Sequence, residues 1–177
     1  IRIGILHMLV SLIAAMSSNK IIGRDGKIPW NCKDEMKFFK EKTLGKPIIM
    51  GRKTWDTLPK KPLPGRFNIV VTKNQELIGL RDENNPDGPI FVDNLTNAID
   101  ISTEFANECM IIGGEQIYKE AIDMDVLDRM YINVMHISVV GDASFPYYDP
   151  NDWLIQQQEE KSKEFMSYIF IRKNREE

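Results

Sequence analysis

The stretch CMIIGGEQIYKEAIDM, residues 109–124, runs from a short apolar segment through Gly113-Gly114 into a helix-forming one. A brief apolar run closed by a turn signal is what a strand covered on both faces leaves in a sequence. The two glycines end the strand and start a helix. PIIMGRKTWDTL repeats the unit at 47–58, with a buried strand over 47–51 feeding a short helix. Strands passing directly into helices imply parallel pairing, because parallel neighbours need a crossover.

Outward from these two units the alternation continues. LVSLIAA (9–15) reads as a central buried strand, followed by a long loop over 16–31 that carries Gly23, Asp25-Gly26 and Pro29. A helix is predicted over 33–43, with Asn31 as candidate cap and Asp34 and Glu35 in its first turn. PKKPLPGR (59–66) is loop, and strands are predicted at 67–72 and 89–93, a helix at 95–106 and a long strand at 129–140. After a loop over 141–152, residues 152–160 and 165–173 read as an antiparallel pair around KSKE. The fold class expected is α/β: one domain with a central, mainly parallel twisted sheet, a C-terminal antiparallel edge hairpin, and helices on both faces.

The chain has 177 residues, 42% hydrophobic and 28% charged, the composition of one globular domain. Its net charge of −3 and interspersed lysines and arginines argue against a nucleic-acid partner. The apolar N-terminal run is interrupted by Arg2, His7 and Ser11 and is too short to span a bilayer, so no membrane partner is expected. Met8 reads as the natural start, which makes residues 1–7 an added leader and 8–177 the domain. Cys32 and Cys109 read as free thiols of a reducing cytoplasm, and neither they nor His136 have metal-ligand spacing, so no metal is expected. A monomer is the default.

Ligands of open α/β sheets bind beyond the carboxyl ends of the strands. Gly51 leads into Arg52, Lys53 and Thr54 at one helix N-terminus, and Gly113-Gly114 opens another. Both offer backbone N–H groups to an anion, and two such places in one sheet suggest a ligand with several phosphates. Glu35 is the third candidate. Helical spacing aligns it with Phe38 and Phe39, and a carboxylate on an apolar face is a candidate acid, base or ligand anchor.

The motifs LIAA, IIGRDGKIPWN, DEMKFFK, KPIIMGRKTW, LPGR, IIGGEQIY and GDASFP, in this order and spacing, resemble the dihydrofolate reductase family over nearly all of Met8–Lys173. The resemblance implies NADPH as cofactor, dihydrofolate and antifolate inhibitors as ligands, and hydride transfer to C6 with protonation at N5. It makes Glu35 the acid that holds the pterin ring, with Trp30 and Ile28 beside it in the catalytic region. The substrate pocket is implied at Ile13, Ala15, Met36, Phe39, Leu58, Leu63, Ile112 and Asn133, with Arg66 pairing the α-carboxylate.

The cofactor is implied to meet Ala15, Ile22, Gly51, Arg52, Lys53 and Thr54, then Thr72 and Lys73 near the 2′-phosphate. Gly113, Gly114, Glu115, Gln116, Ile117 and Tyr118 would cover the pyrophosphate and nicotinamide, with the glycine pair joined by a cis peptide. Residues 16–31 resemble a lid with Ile28 at its tip, and Asp142 a residue bonded to it near Gly23. Asn133 stands where many members carry Thr, PKKPLPGR is one residue longer, and KSKE is shorter than in some. The rival readings are a same-fold reductase of a riboflavin-pathway pyrimidine, against which DEMKFFK and LPGR argue, and a phosphoacceptor signalling domain. The latter needs clustered acids after the first strand, and LIAAM has none.

Overall fold

The computed structural model describes residues 8–173, and the expected leader over 1–7 lies outside them. At the centre is β1 (Leu9–Ser17), flanked in parallel by β6 (Glu108–Gly113) and β7 (Arg129–Met135). On the β6 side follow β3 (Pro47–Gly51), β4 (Phe67–Val71) and β5 (Ile90–Val92), all parallel. On the β7 side β10 (Phe165–Arg172) and β9 (Trp153–Ser162) close the sheet antiparallel. Among the described residues the order is β5-β4-β3-β6-β1-β7-β10-β9, and the fold class is the expected one.

Strand alternation sorts the core into two layers. Val10, Leu12, Ala14 and Met16 point to the face covered by α3 (Leu95–Ser102) and α4 (Glu115–Asp123). Ile13 points to the opposite face, where α1 (Lys33–Thr43) contributes Phe38 and α2 (Arg52–Thr57) contributes Trp55. Helices on both faces explain why β3 and β4 are almost uninterrupted apolar runs.

Several expected boundaries move. The predicted strand over 129–140 ends at Met135, because its neighbours β1 and β10 both terminate opposite that residue. The chain then leaves the sheet, with the His136 N–H donating to the Glu164 carbonyl and the Ile137 carbonyl accepting from the Ser18 N–H. The predicted helix over 95–106 ends at Ser102, after which the Phe105 ring stacks on Phe67 at 3.8 Å. The KSKE turn tightens because Lys161 and Ser162 remain in β9. The predicted loops over 16–31 and 141–152 each hide a strand: β2 (Ile21–Gly23) pairs antiparallel with β8 (Ala143–Ser144). Such short segments carry no periodicity of their own. Asn31 is not the cap of α1; Cys32 takes that position without a side-chain capping bond.

Candidate active site

α1 begins at the carboxyl end of β1 and β7 and lays its first turn over them. Glu35 is 7% exposed there, whereas its neighbour Asp34 stays in solvent as an ordinary first-turn acid does. Across from it Asn133, on β7 and paired in register with Ala15, is fully buried. The Asn133 Nδ2 donates to Glu35 Oε1 at 3.5 Å, and Asn133 Oδ1 has no partner among the described residues. Burial pushes the Glu35 carboxyl pKa up, and the Asn133 amide partly counters it. A buried carboxyl group with a raised pKa beside a strand end is a candidate ligand anchor or acid–base group.

Below it, the predicted lining residues Ile13, Phe39, Leu58, Leu63 and Ile112 meet in one apolar cluster with Phe38 and Met50. Ala15 is half-buried at the strand end. Met36 and Ile28 do not join the cluster: they are 61% and 60% exposed. Trp30 packs against Cys32, Met135 and Phe165, and its buried Nε1 has no partner among the described residues. Ile28 is not at the tip of its loop, since Arg24 and Lys27 pair across a turn at Asp25-Gly26.

At the far end of this apolar wall sits Arg66, 5% exposed. Its Nε donates to the Pro64 carbonyl at 3.0 Å and its Nη1 to Thr43 Oγ1 at 3.2 Å. The Thr43 hydroxyl spends its proton on the Phe39 carbonyl, which leaves its oxygen free to accept from the guanidinium. Arg66 is thus tied to α1 through Thr43 and to its own loop through Pro64. Burial lowers its pKa, countered by the charge of Asp87. Thr43 escaped the sequence reading, because nothing in the sequence links it to an arginine 23 positions away.

The two candidate anion segments converge. A Cβ on Gly114 would lie 3.3 Å from Thr54 Oγ1, and one on Gly51 would lie 3.0 Å from Ile117 Cγ1. The starts of α2 and α4 are therefore side by side, with glycines where the backbones approach. The Gly113-Gly114 peptide is cis, and Gly113 has φ of 124°, a conformation reserved for glycine. Tyr118 closes this end from beneath, its hydroxyl within hydrogen-bonding distance of the Ile13 and Ile112 carbonyls at 2.7 and 2.8 Å. Burial pushes its pKa up. Glu115, Gln116 and Lys53 are exposed around the cradle, and Arg52 pairs with Asp56 at 3.0 Å.

Thr72 is buried just past β4, and the Lys73 ammonium reaches the Asp93 carbonyl at 3.2 Å. Ile22 packs instead toward the α3/α4 layer. The loop bearing it is strapped to the 141–145 segment: the Asp142 N–H donates to the Gly23 carbonyl at 3.0 Å, and the Asp25 N–H to Asp142 Oδ2 at 3.1 Å. Gly141 lies against this strap so closely that a Cβ would overlap Ile21 Cγ2 and the Gly23 carbonyl. The sequence reading did not single out Gly141, whose requirement exists only where two distant loops cross.

Among the described residues no cluster could hold a metal ion, and no helix is long and apolar enough to cross a membrane. Residues 9–175 match the family model described as dihydrofolate reductase. The chain is 46% identical over 141 residues to the dihydrofolate reductase of Buchnera aphidicola subsp. Acyrthosiphon pisum, covering 80% of this chain and 81% of that one. It is 38% identical over 164 residues to that of Neisseria meningitidis serogroup A, covering 92% and 95%. Among solved structures, dihydrofolate reductase from Enterococcus faecalis complexed with NADP(H) and RAB-propyl superposes with a TM-score of 0.79 at 26% identity, covering 94% and 97%. A buried acid over the end of the central sheet, a clamped arginine at the other end of an apolar wall, and a glycine cradle beside them agree with these likenesses: the chain belongs to the dihydrofolate reductase family.

Proposed function

We propose that this chain reduces 7,8-dihydrofolate to 5,6,7,8-tetrahydrofolate with NADPH. As a member of its family it is an NADPH-dependent oxidoreductase. The observation that carries the proposal is Glu35, a buried carboxyl group at the head of α1 with an apolar wall leading from it to Arg66. A carboxyl group and a guanidinium joined by one apolar wall offer partners to a heterocycle and to a carboxylate tail.

The glycine cradle fits the cofactor, since a Cβ at Gly113 or Gly114 would fill the space against Tyr118 or Thr54. When bound, NADPH supplies the hydride that goes to C6 of the substrate. The chain's own part is orientation and proton management. Glu35 holds the ring through its N3 and 2-amino groups and favours protonation at N5, Arg66 holds the α-carboxylate, and the wall from Ile13 to Leu63 excludes water. Backbone N–H groups at the start of α4, with Arg52, Lys53 and Thr54, receive the pyrophosphate, and Thr72 and Lys73 the 2′-phosphate. Antifolate ring systems with the same donor pattern are expected to bind at Glu35, and the protein is expected to act as a cytoplasmic monomer.

The test follows NADPH oxidation with dihydrofolate in wild type and Glu35→Gln. Turnover in the wild type and a loss of at least tenfold in the variant at neutral pH are expected. No wild-type turnover would remove the proposal, and an equally fast variant would remove the role of Glu35. The hydride-transfer rate should fall as pH rises through an apparent pKa, because N5 must be protonated; a flat profile would contradict that.

A further inference from the structure

Asn133 is an amide whose two ends are poorly served. It is fully buried, its Nδ2 makes one long contact of 3.5 Å to Glu35 Oε1, and its Oδ1 makes none among the described residues. A buried amide oxygen without a partner is costly, and a second state in which Oδ1 accepts a hydrogen bond recovers part of that cost. The group beside it can create one. An ionised Glu35 offers only acceptors and attracts Nδ2; a protonated Glu35 carries one O–H, which needs an acceptor.

We propose that Asn133 is a positioning residue for Glu35 that turns its carboxamide over when Glu35 gains a proton, so that the carboxyl group is held in place in both protonation states. Half a turn about the last side-chain torsion exchanges Oδ1 and Nδ2 without moving the backbone, which the pairings to Ala15 and Ser167 on both sides hold fixed. In the first state Nδ2 donates to the carboxylate. In the second the carboxyl O–H donates to Oδ1.

Among the described residues, burial raises the Glu35 pKa and the Asn133 amide lowers it. Tyr118 of α4 feels the Glu35 charge, but its hydroxyl is engaged by the Ile13 and Ile112 carbonyls. The Cys32 thiol at the head of α1 is turned toward Glu164, and Asp34 is exposed. The inference rests on Glu35 being the ring-holding acid, yet its test needs no turnover.

The experiment is a pH titration of the ligand-free protein by NMR, observing the Glu35 carboxyl carbon and the Asn133 side-chain NH2 together. Both signals are expected to move with one midpoint. An Asn133 NH2 signal unchanged through the Glu35 titration would overturn the inference, and this outcome is independent of whether Glu35→Gln loses activity. In Asn133→Leu the Glu35 midpoint is expected to shift upward and KM for dihydrofolate to rise about tenfold with kcat changed much less. Asn133→Thr, whose hydroxyl both donates and accepts, should return both toward wild type. An unshifted midpoint in Asn133→Leu, or no rescue by Asn133→Thr, would also overturn it. Should the Leu variant fail to fold, the wild-type titration and the Thr variant still decide.

Discussion

Replacing Gly141 with alanine tests the strap that fastens the 16–31 loop to the 141–145 segment. The backbone of Gly141 lies outside the left-handed region, so alanine adds no conformational strain there and the effect is one of collision. The new methyl would overlap Ile21 Cγ2 and the Gly23 carbonyl, which forces β2 and the 141–145 segment apart. The two bonds that join them at this point, Asp142 N–H to the Gly23 carbonyl at 3.0 Å and Asp25 N–H to Asp142 Oδ2 at 3.1 Å, both break when the segments part. Each contributes about 1 kcal/mol net, so the fastened state loses about 2 kcal/mol relative to the unfastened one. That is roughly a 30-fold change in their ratio. Amide hydrogen exchange reads it directly: protection of the Asp142 N–H should fall by about that factor, while core amides of β1 and β6 keep theirs. Urea unfolding run in parallel would separate this local release from a loss of global stability. Unchanged protection of Asp142 in Gly141→Ala would refute the reasoning, because the loops would then have absorbed the methyl without parting.

Three further outcomes are expected. Arg66→Leu should raise KM for dihydrofolate by about 10- to 100-fold with kcat nearly unchanged, since a charge-assisted contact of about 1.5–3 kcal/mol made equally in ground and transition states is lost; steady-state kinetics with an unaltered KM would exclude the carboxylate role. Glu35→Gln should unfold at a higher temperature than wild type at pH 7, because burial raises the folded-state pKa of Glu35 above its unfolded value and stability is lost as pH rises through that window; the gap should close below about pH 4, where the carboxyl is protonated in both states. Glu108 has the opposite sign. Burial alone would raise its pKa, but hydrogen bonds from Lys46 at 2.6 Å and Ser11 at 2.8 Å and the charge of Arg129 outweigh it and hold it low. Its contribution is therefore present above the unfolded carboxyl pKa and is lost as pH falls through the lower folded value. Lys46→Met should cost about 1–2 kcal/mol at pH 7 and much less near pH 3, as measured by urea unfolding.

The chain sequence was most legible where local physics and final structure agree. PIIMG and CMIIGG are apolar runs ended by glycine, and each became a parallel strand feeding a helix. Glu35 was conspicuous because helical spacing set it among phenylalanines, and it is buried as that spacing requires, although Phe38 is the ring that enters the core and Phe39 the one left half-buried at the wall. Boundaries were less legible. The end of β7 depends on where β1 and β10 stop, and the end of α3 on the ring of Phe67, neither of which is written near those residues. β2 and β8 are three and two residues long, so their pairing left no periodic trace.

By itself, the sequence determined the alternation of strands and helices, the two-sided burial of the sheet, and the residue types available at the strand ends, because each depends on side chains close together along the chain. Only the tertiary structure decided which of those residues meet. It brought Asn133 to Glu35 across 98 positions, Thr43 to Arg66 across 23, and the starts of α2 and α4 to within contact of each other. The physical reason is that a parallel sheet aligns the carboxyl ends of strands from every part of the chain on one edge. A contact made there has an energy set by packing and burial, and those exist only once the chain has folded.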